Sequence, residues 1–168
     1  CPDAADYGIN ERFSNKTAIA PTASISIICG GSSPGIEPIA ANSYTHKTLS
    51  GSFNVRNKYL KKVLKKYNKD TDEVWSTITT NQGSVSHLDF LTADEKDTFK
   101  TAFEIDQRWI VELGADRTPH ISQAQSINVF VPADIHKKEL HDIHFQAWKK
   151  GLKSLYYCRS KSIQRAEN

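Results

Sequence analysis

The stretch "SINVFVPADIHKKELHDIHFQAWKKGLKSLYYC" limits the possible folds more than any other part of the chain. "SINVFVP" is rich in β-branched and aromatic residues and reads as a strand. "DIHKKELHDIHFQAWKKG" has helical spacing and stops at Gly151, with Lys149 and Lys150 placed favourably at its negative pole. "KSLYYC" reads as the next strand. A crossover of this length makes the two strands parallel and the connection right-handed. Parallel strands need cover on both faces. The fold class is therefore α/β, a sheet or barrel and not a sandwich.

The 168 residues suit a single domain. A net charge of +3 is too small to argue for nucleic acid, and it suits an anionic small molecule as well. No apolar run is long enough to span a membrane. Cys1, Cys29 and Cys158 form no CxxC pair, and His136, His141 and His144 form no HExxH, so no metal site is expected. Reduced thiols in a cytoplasmic chain are the expectation.

Further helices are expected over "NKYLKKVLKKY" and "TDEVWSTI". The longest runs from a Thr92–Glu95 capping box to a stop at Gly114. Trp75, Trp109 and Trp148 are expected in the core, with Cys29 and Cys158 as buried small apolar residues. Asp116 and Arg117 are expected to pair, and Glu37 to brace a turn.

The chemistry begins at "NKTAIAPTASISIICGG". Residues 16–20 read as a short strand that Pro21 closes. Thr22 or Ser24 then caps a helix with Ser26 in its first turn. The first helical amides lack intrahelical partners, and the dipole places positive charge there. With the hydroxyls of Thr22, Ser24 and Ser26, and the small Ala23, this mouth suits a phosphate. GxxxxGK[ST] is absent, so nucleotide hydrolysis loses its main support. A plain Ser/Thr-capped helix fits the same residues.

The order "TAIAPTASIS", "GIEP", "NSYTHKTLSGSF", "DQRWIVELGADRTPHISQAQSINVFV" and "FQAWKKGLKSLYYCRS" resembles the carboxy-terminal part of the class I ribonucleotide reductase large subunit. The resemblance covers about residues 15–162. It implies that residues 1–168 are a single, partial domain: an incomplete portion of a ten-stranded α/β barrel that reduces ribonucleoside diphosphates to deoxyribonucleotides. It implies that Thr22, Ala23, Ser24 and Ile25 hold the substrate diphosphate. Some members of the family carry a hydroxyl residue where Ile25 stands, and Ser26 is a local substitute. It also implies that Tyr156 and Tyr157 relay an oxidising equivalent, Tyr157 facing the small subunit and Tyr156 a catalytic cysteine.

That cysteine is expected upstream of this chain, and a reducing cysteine tail downstream. No cofactor is expected within the chain. A dimetal and tyrosyl-radical cofactor belongs to the small subunit, and ATP or dNTP effectors bind elsewhere in the large subunit. The implied partners are the upstream part of the large subunit, the radical-generating small subunit, a second large subunit and, indirectly, thioredoxin or glutaredoxin. Nucleic acid and membrane are not among them. A split gene or an intein-flanked segment would explain such a fragment, with Cys1 as a suitable residue after a splice. Two alternatives stay open: a cobalamin-dependent reductase fragment, and a non-catalytic interaction or relic module.

Overall fold

The computed structural model describes residues 2–13, 15–49 and 51–160. Cys1 and residues 161–168, where flanking segments were expected to join, lie outside the described residues. The chain forms two compact units, Cys1–Glu37 with Asp106–Asn168, and Pro38–Ile105.

The first unit holds helices α1 (Pro2–Ala5) and α2 (Ala23–Ile28). After Ile105 come α6 (Gln107–Arg117), strand β3 (Val129–Val131), α7 (Lys137–Lys149) and β4 (Cys158–Ser160). β3 and β4 pair in parallel, Val129 opposite Cys158 and Val131 opposite Ser160, as the helical crossover requires. Val129 and Val131 turn one face of β3 toward Val111 of α6 and Ile143 and Ala147 of α7, forming one buried cluster. The alternation of a strand and the four-residue repeat of a helix put those residues on matching faces.

The second unit opens with a hairpin, β1 (Ser43–Thr48) against β2 (Gly51–Arg56), which pair antiparallel. Helices α3 (Lys58–Lys66), α4 (Asp72–Thr80) and α5 (Ala93–Thr98) come next along the chain. Leu60, Leu64, Trp75, Ile78, Val85, Leu88 and Leu91 form its core. Trp75 also donates its indole N–H to Asp70 Oδ1 at 2.8 Å, so its one polar atom is satisfied in the interior.

Several expectations are corrected. The helix expected from Thr92 to Gly114 is broken into α5, a 3₁₀ turn at Ala102–Glu104, and α6. The Thr92–Glu95 capping box is present. Two further start signals interrupt the chain between α5 and α6. Thr101 donates its amide and its hydroxyl to Glu104 Oε2, each at 2.8 Å, and the Asp106 carboxylate accepts from the Arg108 amide at 3.0 Å. Gly114 lies inside α6, where a Cβ would stand 2.6 Å from Ile127 Cδ1, so it marks close packing and not a stop. Trp75 is buried as expected, but Trp109 and Trp148 are 64% and 73% exposed. Cys29 and Cys158 are exposed. Arg117 donates to Gln125 Oε1 at 3.1 Å, and no ion pair with Asp116 occurs among the described residues. The described strands make two two-stranded sheets and one isolated bridge, not a closed barrel.

Asn42 organises the second unit. Its side-chain amide donates to Gly83 O at 3.0 Å and Phe99 O at 2.7 Å, and its carbonyl accepts from Asn57 Nδ2 at 2.8 Å. That last bond aims Asn57 Oδ1 at the Tyr59 amide, 2.9 Å away, capping α3. Asn42→Ala leaves Gly83 O with only the residue-42 backbone amide, strips Phe99 O of its side-chain donor and frees the cap. We expect a loss of about 2–4 kcal/mol in unfolding free energy, read by denaturant titration.

Candidate functional site

The site is built on the segment 123–131, whose backbone is bonded along both edges. On one edge, the Gln123 amide donates to Thr17 O at 3.0 Å and the Ser126 amide to Ile19 O at 2.9 Å. The strand expected over residues 16–20 is therefore reduced to this short contact, a single parallel bridge between Ile19 and Gln125. At Pro21 the chain turns away. Two side chains then take over the same edge: Asn128 N donates to Glu37 Oε1 at 2.5 Å, and Phe130 N to Gln107 Oε1 at 2.8 Å. On the opposite edge, Tyr156 N donates to Ile127 O and Val129 N to Tyr157 O, each at 2.8 Å.

Thr22 stands at the N-cap of α2, so residues 22–26 do open a helix directly after the bridged segment. Its backbone is left-handed, φ 51°, an unusual state for a β-branched residue and one that clusters at ligand sites. The Thr22 hydroxyl does not cap its own helix. It accepts instead from Gly35 N at 2.8 Å. The amides of Ala23, Ser24 and Ile25 lie in the first turn, ahead of the first intrahelical bond from Ser26 N to Thr22 O. Ser24 is exposed, and Ile25 can offer only its backbone. Ser26 is buried and donates its hydroxyl back to Ala23 O at 2.8 Å, so in this geometry its proton is spent inside the turn.

Gly35 is fixed by the same arrangement. Its φ is +71°, and an added Cβ would stand 2.9 Å from Glu37 Oε2. The turn closes through Ser33 Oγ, which donates to Glu37 O at 2.6 Å. Glu37 braces this turn, as expected, and also reaches Asn128, the residue before β3.

Tyr156 and Tyr157 precede β4 and lie outside its regular pairing, although the sequence suggested a strand through both. Their rings therefore do not alternate. The centroids are 4.1 Å apart at 51°, and the hydroxyl oxygens are 3.5 Å apart. Both rings are about half exposed. The Arg159 guanidinium lies over the Tyr157 ring at 5.2 Å. The Tyr156 phenol is held above its ordinary pKa, first by the hydrogen bond with Tyr157, then by the charge Tyr157 would carry and by desolvation, with Arg159 opposing. A cleft of about 400 Å³ is lined by residues 18–20, 123–126, Ser154 and Tyr156. Tyr156 thus opens into the same space as the segment that leads into the Thr22 turn. Among the described residues no group of three or more metal-ligating side chains occurs.

The ribonucleotide reductase barrel-domain family matches residues 3–158. The chain belongs to that family. The large subunit of ribonucleoside-diphosphate reductase from Invertebrate iridescent virus 6 is 51% identical over 99% of this chain, which covers 18% of that protein. The Caenorhabditis elegans large subunit is 37% identical over 94% of the chain, covering 20% of its length. Among solved structures, the class Id ribonucleotide reductase alpha subunit of Actinobacillus ureae superposes with a TM-score of 0.77 at 40% identity, over 85% of this chain and 26% of that one. The chain therefore spans between 18% and 26% of the length of these reductase relatives.

Sequence reasoning missed Gly35, Asn128 and Gln107 as parts of this reductase segment. A usable signal was present: polar Gln125 and Asn128 interrupt the apolar run "QSINVFV", and polar residues in a buried strand need built partners. The tyrosine geometry makes a direct prediction. In Tyr157→Phe the partner hydroxyl is lost, so Tyr156 should ionise at lower pH, closer to the ordinary value near ~10. Ultraviolet difference titration of the phenolate reads this, and an unmoved curve would show that the two hydroxyls do not interact.

Proposed function

We propose that this chain is the portion of a cytoplasmic ribonucleoside-diphosphate reductase large subunit that carries the substrate diphosphate cradle and the radical-transfer tyrosines. The observation that carries the reading is the closely packed, tilted tyrosine pair with facing hydroxyls, whose Tyr156 lines the cleft that the Thr22 lead-in also lines.

In this reading the first-turn amides of residues 23–25 and the hydroxyls of Thr22 and Ser24 receive the diphosphate oxygens. Charge-assisted hydrogen bonds to backbone amides suit that task without a lysine. Ser26 contributes by holding the first turn closed. The remaining strands of a ten-stranded barrel, and the cysteine that reacts with the ribose, come from the rest of the large subunit.

The phenols act as hydrogen-atom carriers. Tyr157, under Arg159, gives up an electron and its phenolic proton to the oxidant delivered by the small subunit and becomes a neutral phenoxyl. It then takes a hydrogen atom from the Tyr156 hydroxyl, so that Tyr157 is restored and Tyr156 becomes the radical. Tyr156 in turn takes a hydrogen atom from the cysteine thiol. The dimetal and tyrosyl-radical centre that supplies the oxidant belongs to the small subunit, and effector nucleotides bind elsewhere in the large subunit.

Tyr156→Phe, in a large subunit containing this segment and paired with its small subunit, should reduce turnover to background while diphosphate binding persists, because a phenyl ring has no hydroxyl hydrogen to give. Turnover and equilibrium substrate binding, measured on one preparation, check this. Unchanged turnover would favour a cobalamin-dependent relative. Loss of both activities in every reconstituted mixture, wild type included, would favour a relic module.

A further inference from the structure

We infer that Glu37 is a positioning residue for the phosphate loop, tying it to the strand whose other edge carries the tyrosines. The inference rests on the cradle reading and deepens it. Glu37 is 4% exposed. Its Oε1 accepts from the Asn128 amide, and its Oε2 from Asn128 Nδ2 at 3.3 Å. Both contacts span 91 positions of sequence, so they set tertiary placement and not a local turn.

The carboxylate occupies a defined position in the ladder. Ser126 N, one step earlier on that edge, donates to Ile19 O. Had the chain continued straight past Ala20, its backbone would have met Asn128 N. Instead it turns at Pro21 to form the loop, and Glu37 returns to supply the missing acceptor. Because Glu37 is fixed at Asn128, Gly35 is held two residues before it, and the Gly35 amide donates to the Thr22 hydroxyl at 2.8 Å. That bond keeps the Thr22 oxygen off the amides of its own helix. It thereby supports the left-handed Thr22 and leaves the helix mouth open to an anion.

A carboxylate accepts only, so it also sets the orientation of the Asn128 amide: Nδ2 toward Glu37. Asn128 Oδ1 is then left buried without a partner. Glu37→Gln can be accommodated, because Gln keeps one acceptor for Asn128 N and offers an N–H to Oδ1 after a flip of the Asn128 side chain. Glu37→Ala provides neither.

The test uses a large subunit containing this segment, assayed with its small subunit. Glu37→Ala should raise KM for the ribonucleoside diphosphate about tenfold or more with kcat nearly retained, as expected for losing one charge-assisted contact in the ground and transition states alike. Glu37→Gln should restore KM toward wild type. Binding of the diphosphate and of the corresponding unphosphorylated nucleoside is measured alongside. Glu37→Ala should lower the preference for the diphosphate without weakening nucleoside binding.

An unchanged preference in a folded Glu37→Ala subunit overturns the inference, as does a fall in kcat with KM unmoved. Should Glu37→Ala fail to fold, Glu37→Asp, which shortens the reach by one methylene, takes its place with the same expected KM effect. Failure of both to fold also counts against the inference, because the carboxylate would then serve the fold and not the loop. If wild type itself does not prefer the diphosphate, the cradle reading falls, whatever the variants do.

Discussion

A buried strand edge tolerates no unpaired amide, and that constraint organises this segment. The edge of residues 126–130 begins with a backbone partner at Ile19 and continues with the side chains of Glu37 and Gln107. A third backbone strand along the whole edge would have satisfied the same donors. It would also have carried the chain past Pro21 without turning, and no helix mouth would have formed there. The substitution of side-chain acceptors for a strand is what frees residues 21–25 to leave the sheet. The loop's placement and the sheet's integrity are in this sense one problem, solved by two buried side chains.

The two edges of this single strand also connect the two halves of the site. Amides pointing one way hold the turn that contains Glu37, and the groups pointing the other way hold Tyr156 and Tyr157. Parallel pairing makes this possible, since successive residues bond alternately to neighbours on either side. A shift of the strand by one residue would exchange the two sets of partners. The register is further fixed by Val129 and Val131, whose side chains are committed to α6 and α7. Packing energy on one face of β3 therefore sets which backbone groups meet the Glu37 turn and which meet the tyrosines.

Much of this was legible in the sequence because it depends on local rules. The crossover between β3 and β4, the Thr92 capping box, the buried face of α3 and the helix opening at Thr22 all arise from spacing and caps. The features that were not legible depend on competition or on distant partners. Thr101 and Asp106 each carry a start signal, and a periodic apolar pattern cannot show that the chain obeys those signals and breaks the helix. Trp109 and Trp148 share helix faces with core residues by periodicity, yet the side that buries is decided by its packing neighbours, and here Val111 and Ile143 take the inner positions. The β1–β2 hairpin lacks the alternating apolar pattern that would announce it, since five of its six β2 partners pair through polar or small residues on one strand or the other. The helix opening at Thr22 was visible, but its support was not, because Glu37 meets Asn128 across 91 positions.

The tyrosines show why a local rule can mislead at the point that matters. Adjacent residues in a strand face opposite ways, which would separate two phenols by the thickness of the sheet. Here the amide of Tyr156 is tied to Ile127, ahead of β3, and the carbonyl of Tyr157 to Val129 at its start. The regular ladder starts one residue later, at Cys158. Anchored at its two ends but not pleated between them, the dipeptide can turn both rings to the same side. Their hydroxyls then meet at 3.5 Å, a separation short enough for a hydrogen atom to pass between them with modest motion. A pair placed two residues further along, inside β4, would have kept its backbone bonds and lost that contact.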